Sequence, residues 1–183
     1  FPSAPGSSGP LVANPGFEAT VNAGPIEGWT PFGVGTYQVV EGGAYRGANF
    51  LAVDNTGTAY QAATTSTKFP FQAGEDLSVS LWVNAVIASP TIVIYVNWYD
   101  RSGTQLSSVY VSQLATGGVT TWQACTGVVT APANTSRAQI VLYEAAGNAS
   151  IGIDEVIVRS GDLTARSLVT NPGFDLGALD DGQ

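Results

Sequence analysis

Residue types that commonly carry catalytic or metal-binding chemistry are rare or missing in this sequence. It has no histidine, and Cys125 is its only cysteine among 183 residues. Without histidine, a Ser-His-Asp triad is excluded, and so are the commonest general base and the commonest transition-metal ligand. A single cysteine excludes an intrachain disulfide bond and a thiolate zinc site.

Positive charge is also scarce. Six basic residues stand against fourteen acidic ones, which gives a net charge of -8. A nucleic-acid groove or an anionic membrane surface requires clustered Lys and Arg, so both are poor partners. No apolar run reaches the length of about eighteen residues that predicts a membrane-spanning helix. A glycine-rich loop followed by Lys-Ser or Lys-Thr is missing too, so no phosphate-binding loop is expected.

The residues that are abundant favour a β-rich module. Hydrophobic residues make up 44% of the chain and charged residues only 11%, a composition that we associate with extracellular or virion-surface β modules and that suffices for a core. No window shows a helical period, and turn residues separate short stretches with strand character. The predicted strands are Thr36–Val40, Asn49–Val53, Leu77–Ala85, Thr91–Tyr99, Ser107–Ser112, Trp122–Val129, Arg137–Tyr143 and Ser150–Val158. We therefore predict an all-β fold, an antiparallel β-sandwich of jelly-roll type.

An octapeptide near the start of the chain recurs near its end. Leu11–Glu18 reads LVANPGFE and Leu168–Asp175 reads LVTNPGFD, so six of eight positions are identical. A chance recurrence of an Asn-Pro-Gly turn is one explanation. The alternative, which we favour, is a tandem array: a Pro/Gly/Ser arm at 1–10, a sandwich module at 11–160, a joint at 161–167 and the start of a second, incomplete module at 168–183.

A series of motifs in fixed order resembles a known superfamily. They are LVANPGFE, Gly28-Trp29, YRGANFLAV from Tyr45, LSVSLWVNA from Leu77, IVIYVNWYDRSG from Ile92, WQACTGVVTAPANTSRAQIVLYE from Trp122 and IGIDEVIV from Ile151. Together they resemble the carbohydrate-binding-module, galactose-binding-like jelly-roll superfamily, whose members are appended to xylanases and β-glucanases and repeated in tail proteins of phages. The resemblance spans about Leu11 to Arg159 and implies the fold, but it does not fix a ligand because this superfold carries many functions.

The resemblance also implies a structural calcium ion that ties the first strand to the last. The matching carboxylates are Glu18 and Asp154, with backbone carbonyls from about 46 to 49, including Asn49, and with Glu41 as a further candidate. The alternative is that Glu18 and Asp154 only accept backbone N–H bonds at turns.

A candidate sugar-binding face follows from the outward side of the alternating strands. Its residues are Trp82, Asn84, Tyr95, Asn97, Tyr99, Gln139 and Tyr143. In related modules such a sheet face forms the glycan cleft, in which aromatic rings stack on sugars and amides bind their hydroxyl groups. The alternative is ordinary packing, because tyrosine and tryptophan are common in strands. We assign Trp29, Trp98 and Trp122 to the core.

Two functional hypotheses remain open on the sequence. The first is a non-catalytic module of a larger extracellular or virion-surface protein, which binds a polysaccharide or cell-surface glycan. The second is a structural or assembly module without a small ligand, in contact with neighbouring modules. A catalytic role is not expected, because the obvious acids, such as Asp76 and Asp100, fall in predicted turns.

Overall fold

The computed structural model describes residues 11–19, 26–33, 35–55, 62–145 and 148–161. The arm predicted at 1–10, the second repeat predicted at 168–183 and all but the first residue of the predicted joint lie outside the described residues. The module predicted at 11–160 covers the part of the chain in which every described strand lies.

The described residues form eleven strands and no helix. In chain order the strands are β1 (Trp29–Gly33), β2 (Thr36–Glu41), β3 (Asn49–Asp54), β4 (Ala62–Ser66), β5 (Phe69–Pro70), β6 (Asp76–Ile87), β7 (Thr91–Tyr99), β8 (Gln105–Ala115), β9 (Gln123–Thr130), β10 (Arg137–Glu144) and β11 (Ser150–Ser160). A membrane-spanning helix, long and apolar enough for a bilayer, is not found in the part of the chain that is described.

The strands assemble into two antiparallel sheets that pack face to face. One sheet has the order β1-β4-β10-β7-β8, with β5 also paired to β10, and the other has the order β2-β3-β11-β6-β9. We call them the six-stranded and the five-stranded sheet. The predicted antiparallel β-sandwich of jelly-roll type is confirmed.

All eight predicted strands are present, while β1, β4 and β5 were not predicted. The β1 segment, WTPFG, contains a proline and a glycine, which usually interrupt strands. Its position at the sheet edge allows Pro31, because an edge strand can leave a backbone position unpaired. The β4 segment, AATTS, has no large apolar residue that would show the alternation of a strand.

The core forms from the alternating apolar residues of both sheets. On β6, Leu77, Val79, Leu81 and Val83 are fully buried. The matching residues of β7 are equally buried and belong to the same hydrophobic cluster; they are Ile92, Ile94, Val96 and Trp98. Burial of each such aliphatic side chain stabilises the fold by about 1.5 to 3 kcal/mol relative to exposure to water. The predictions that Trp29 and Trp98 are core residues are confirmed, since they are 4% and 0% exposed.

Gly152 on β11 generates a prediction about the outer surface of the five-stranded sheet. A Cβ atom at this position would lie 2.2 Å from Asn84 Oδ1 and 3.0 Å from Phe50 Cε2. We expect Gly152→Ala to lower the free energy of unfolding by about 1 to 3 kcal/mol, because the ring and the amide must move apart. Urea denaturation measures the loss.

The matched control is Gly152→Ala combined with Asn84→Ala. Removing the amide oxygen relieves the shorter contact, so the double variant should lose less stability than the sum of the two single variants. Strictly additive losses would contradict this account of the contact.

Candidate functional site

The seven predicted face residues lie on two different sheets, so the single patch predicted from the sequence is wrong. Trp82 and Asn84 belong to β6 in the five-stranded sheet. The other five belong to β7 and β10 in the six-stranded sheet; they are Tyr95, Asn97, Tyr99, Gln139 and Tyr143. The physical reason is that the chain crosses from one sheet to the other between β6 and β7. Two strands with the same alternation then direct their outward residues to opposite sides of the sandwich.

The outer surface of the six-stranded sheet, which we call the tyrosine face, gathers those five residues. In the register of β7 and β10, Asn97 pairs with Gln139, and Val141 pairs with Tyr95. Tyr143 follows Val141 by two positions on β10 and therefore lies on the same side. Because β7 and β10 are adjacent in the middle of the sheet, these side chains share one continuous surface.

A pair of tyrosines forms the most exposed aromatic part of this face. Tyr110 on β8 is the register partner of Tyr95, and the ring centroids are 6.0 Å apart with an interplanar angle of 79°. Tyr110 is 49% exposed, while Tyr95 is half-buried. Sequence reasoning missed Tyr110. It lies inside the predicted strand Ser107–Ser112, but its side of the sheet depends on irregular pairing between β7 and β8, where the register shifts twice.

Phe32 extends the aromatic surface toward the other edge of the sheet. It is 47% exposed, and its register partner Ala63 is also the register partner of Tyr143. Sequence reasoning missed this residue with the rest of β1.

The polar residues of the tyrosine face divide into a fixed group and an accessible group. Gln139 accepts a hydrogen bond from the Tyr99 hydroxyl at 2.8 Å and donates one from Nε2 to the Ser66 carbonyl at 2.9 Å. Tyr99 is only 7% exposed, and the Lys68 ammonium lies 3.6 Å from its ring centroid. These contacts hold Gln139 and Tyr99 in place, so they stiffen the face. Asn97, whose Oδ1 accepts a bond of 3.5 Å from Gln105 Nε2, remains partly exposed.

Tyr143 presents a neutral hydroxyl group. Burial raises its pKa above the ordinary value of 10.0, with smaller contributions from Tyr95 and Glu144. Its hydroxyl group can therefore both donate and accept hydrogen bonds at neutral pH. The adjacent Glu144 is 1% exposed, and its carboxylate accepts bonds from Asn55 Nδ2 and the Thr91 amide. The surface near Tyr143 thus offers aromatic rings, amides and hydroxyl groups.

A second aromatic cluster covers the outer side of the five-stranded sheet. The Tyr45 ring stacks on Trp82 with centroids 3.9 Å apart and planes 14° apart. Trp122 makes edge contacts to Tyr45 at 6.4 Å and to Phe50 at 5.6 Å, and its Nε1 donates to the Gly43 carbonyl at 3.0 Å. The chain's own loop at 42–48 therefore occupies one face of Trp82.

The assignment of Trp122 to the core is wrong. It directly precedes β9 and shares the side of Ala124, which pairs with Trp82 on the outer surface. Trp122 is half-buried because the loop at 42–48 covers it. Asn84 lies under the same cluster, where its Oδ1 is buried without a hydrogen-bond partner. Whether Trp82 or Asn84 binds a ligand stays a prediction.

The two carboxylates expected at a metal site both accept hydrogen bonds from the backbone at residues 46–49. Glu18 Oε1 accepts the backbone N–H groups of Ala48 at 2.9 Å and Asn49 at 3.0 Å. Asp154 Oδ2 accepts the N–H of Arg46 at 3.0 Å, and its Oδ1 accepts the N–H of Glu155 at 2.7 Å. The two ends of the chain segment that forms the module thus meet at residues 46–49.

Negative charge accumulates at this point. Asp154 is fully buried, and burial raises its pKa above the ordinary value. A Cβ atom on Gly16 would lie 3.3 Å from Glu155 Oε1, 3.6 Å from Asp154 Oδ1 and 3.8 Å from Glu18 Cγ. The nearby cation is Arg46, which is 3.8 Å from Glu155 and largely exposed. Three carboxylates near one exposed arginine provide the type of oxygen donor that calcium prefers.

Glu41 and the side chain of Asn49 are weaker candidates for metal ligands. Glu41 is exposed and is the register partner of Asn49, whose backbone N–H already binds Glu18. Within the described residues, no group of three or more Asp, Glu, or Cys side chains is arranged to hold a metal ion. A calcium ion at this place would depend on Glu18, Asp154 and backbone carbonyls together.

Several solved structures share this fold. The chain is similar to the enzymatically active domain of tailspike protein 4 from bacteriophage CBA120, with a TM-score of 0.63 and 17% identity over 82% of this chain and 21% of that one. It is similar to the CBM22-1 xylan-binding domain of Paenibacillus barcinonensis Xyn10C, with a TM-score of 0.59 and 19% identity over 76% of this chain and 89% of that one. It is also similar to a family 16 carbohydrate binding module, with a TM-score of 0.59 and 19% identity over 81% of this chain and 99% of that one. At these identities the likeness shows the fold.

The family assignment comes from a match over most of the sequence. No curated protein sequence matches the chain. Residues 9–149 match the family described as carbohydrate binding domain, which is most of the chain. The resemblance recognised from the motifs is confirmed, and the chain belongs to this family of carbohydrate-binding domains.

Proposed function

We propose that the chain is a non-catalytic module of a larger extracellular or virion-surface protein and that it binds a polysaccharide through the tyrosine face. The observation that carries this proposal is the pair of Tyr95 and Tyr110, which lies beside Asn97 and Tyr143 on the outer surface of one sheet, with Tyr110 49% exposed. Flat rings suit the apolar faces of sugar rings, and the neighbouring amide and hydroxyl groups suit the sugar hydroxyls.

The similar structures support a plant-type β-glycan as one ligand class to test. The Paenibacillus barcinonensis domain is described as xylan-binding, and it is a single module of about the same extent as this chain. The chain spans only 21% of the tailspike domain, so the rest of that protein offers no guide to this one. We infer that targeting of a larger protein to a polysaccharide surface is the role of the module.

Absence of catalysis is part of the proposal. Carbohydrate-binding module families are non-catalytic, and the accessible groups of the tyrosine face are phenols and amides rather than a pair of carboxyl groups across a cleft. Cys125 is buried, and burial raises the pKa of its thiol, which makes it a poor nucleophile.

A structural role in an assembly is the second candidate, and one observation favours it. Val86, Ile87 and Val119 are 46%, 48% and 44% exposed. They lie at one end of the sandwich, where the Ala85 N–H donates to the Val119 carbonyl. An exposed aliphatic group of this kind is suited to contact with a neighbouring module. Sedimentation velocity of the full chain over a range of concentrations tests it, because a module that assembles with copies of itself through this end should self-associate.

The glycan-binding proposal predicts that Tyr95→Ala and Tyr110→Ala each weaken binding while the protein stays folded. Loss of one stacking ring should reduce affinity about two- to tenfold, since an aromatic contact contributes roughly 0.5 to 1.5 kcal/mol beyond the area that it buries. A glycan array with β-glycans and cell-wall glycans identifies a ligand, and isothermal titration calorimetry then measures the affinity of each variant.

Tyr45→Ala is the matched control, because Tyr45 is 40% exposed and lies on the opposite side of the sandwich. Trp82→Ala provides a second control on the same cluster. Neither should change glycan affinity, although Trp82→Ala should lower stability. If the two controls lose binding and Tyr110→Ala does not, the site lies on the five-stranded sheet.

We also propose that a calcium ion at Glu18 and Asp154 acts as a structural clip between the two ends of the module. The convergence of Glu18, Asp154 and Glu155 near Gly16 supports this proposal. Calcium would supply the positive charge that the described residues provide only through an exposed arginine. Binding to the folded state alone would add to stability.

Removal of calcium therefore should lower the melting temperature of the full chain. The measurement is thermal unfolding by circular dichroism after treatment with EDTA and again after calcium is restored. Glu18→Gln should remove most of the response to calcium, whereas Glu41→Gln, at the exposed end of β2, should leave most of it. Identical melting curves with and without calcium in the wild-type chain would mean that the carboxylates serve only the backbone N–H groups.

A further inference from the structure

We propose that the tyrosine face prefers glycans that carry negative charge, as carboxylate, sulfate or phosphate groups. This inference rests on the proposed glycan-binding function and specifies its ligand class. It is drawn from two cations, Lys68 and Arg137, that flank Tyr99 at one end of the face.

The two cations are placed by contacts with the sheet. The Lys68 ammonium lies over the Tyr99 ring, 3.6 Å from its centroid. The tyrosine is only 7% exposed. Arg137 is exposed and is the register partner of both Tyr99 and Pro70. Residues paired in this way have side chains that begin about 5 Å apart. Cation–π contact restrains the lysine, so less rotamer freedom is lost when an anion binds.

Neither cation is neutralised within the described residues. The ion pair found there joins Arg46 to Glu155 on the other sheet, and no carboxylate lies within ion-pair distance of Lys68 or Arg137. The chain has only six basic residues against fourteen acidic ones. Two unpaired cations beside one candidate binding surface are therefore a distinctive local feature of an acidic protein.

The nearest carboxylate along the chain makes no ion pair with either cation. Asp100 follows Tyr99, but its Oδ1 accepts bonds from the Ser102 hydroxyl at 2.6 Å and the Thr104 N–H at 2.9 Å. These bonds hold the carboxylate within its own turn, and they lower its pKa, so it stays ionised there. The remaining negative charge of the protein is screened over about 8 Å at physiological ionic strength, so nearby charges dominate the potential at Tyr99.

The position of the cations suits an oligosaccharide rather than a single sugar. Tyr95 and Tyr99 are four residues apart on β7, which corresponds to about 13 Å along the strand. A glycan that stacks on Tyr95 and Tyr110 and runs along β7 would bring later units to Lys68 and Arg137. Arginine can bind a carboxylate, sulfate or phosphate group through two parallel N–H bonds, and lysine adds a point charge.

The test compares charged glycans with uncharged counterparts of the same backbone. The probes are methylglucuronoxylan and its carboxyl-reduced form, polygalacturonate and its methyl ester, and dextran sulfate and dextran. Affinity electrophoresis and isothermal titration of the full chain measure each pair at low and high salt. The first two pairs detect carboxylates, and the third detects sulfate esters. The variants are Lys68→Gln and Arg137→Gln, and the matched control is Arg159→Gln, which removes the same charge from the outer side of the five-stranded sheet.

The proposal expects at least one charged probe to bind more tightly than its uncharged form, with the advantage reduced by salt. Lys68→Gln and Arg137→Gln should each weaken binding of that probe about two- to fivefold, as expected for a surface charge contact, and Arg159→Gln should not. Equal affinity for charged and uncharged forms, both lost in Tyr110→Ala, would overturn the charge preference and keep the proposed function. Equal weakening by Arg159→Gln would show general charge attraction and overturn the site. Binding to none of the probes and to no glycan on the array would overturn both.

Discussion

The alternating burial of β6 and β7 is the constraint on which the rest of the structure depends. Four apolar residues of each strand are fully buried, and they face each other from different sheets. Once these two rows pack together, the intervening residues of β6 must point away from those of β7. The two outer surfaces therefore carry different residues. Strands β7 and β10 present tyrosines and amides, while β6 lies beneath the loop at 42–48.

The two outer surfaces differ in what holds their aromatic rings. On the five-stranded sheet, Trp82 and Trp122 are engaged by Tyr45 and the Gly43 carbonyl, and Glu18 and Asp154 hold the backbone of the same loop. On the six-stranded sheet, the Tyr99 hydroxyl donates a hydrogen bond to Gln139, and Tyr110 is exposed to solvent. The contacts on the five-stranded sheet hold the loop at 42–48 against the strands, whereas the six-stranded sheet presents a stiff surface to solvent. A preformed surface loses little conformational entropy when a ligand binds.

Much of the fold could be predicted from the sequence, because period-two alternation is a local signal and strong in strands such as Leu77–Ala85. The face could be predicted only in part. Alternation shows that Trp82 and Tyr95 point away from the core, but it does not show in which sheet each strand lies, and that assignment depends on contacts distant in the chain. Tyr110 was missed because the register of β8 shifts, and Phe32 because β1 contains proline and glycine. Trp122 looked like a core residue since only the long-range contact with residues 43–45 shows what covers it.

The central claim is that glycan binds the tyrosine face, and a nuclear magnetic resonance titration tests it most directly. The full chain, labelled with ¹⁵N, would be titrated with xylohexaose, cellohexaose and any glycan identified on the array. The account predicts chemical-shift changes at Tyr95, Asn97 and Tyr110, with the indole signals of Trp82 and Trp122 unchanged. Changes centred on those two indole groups and on Tyr45, with the backbone of β7 unaffected, would contradict it.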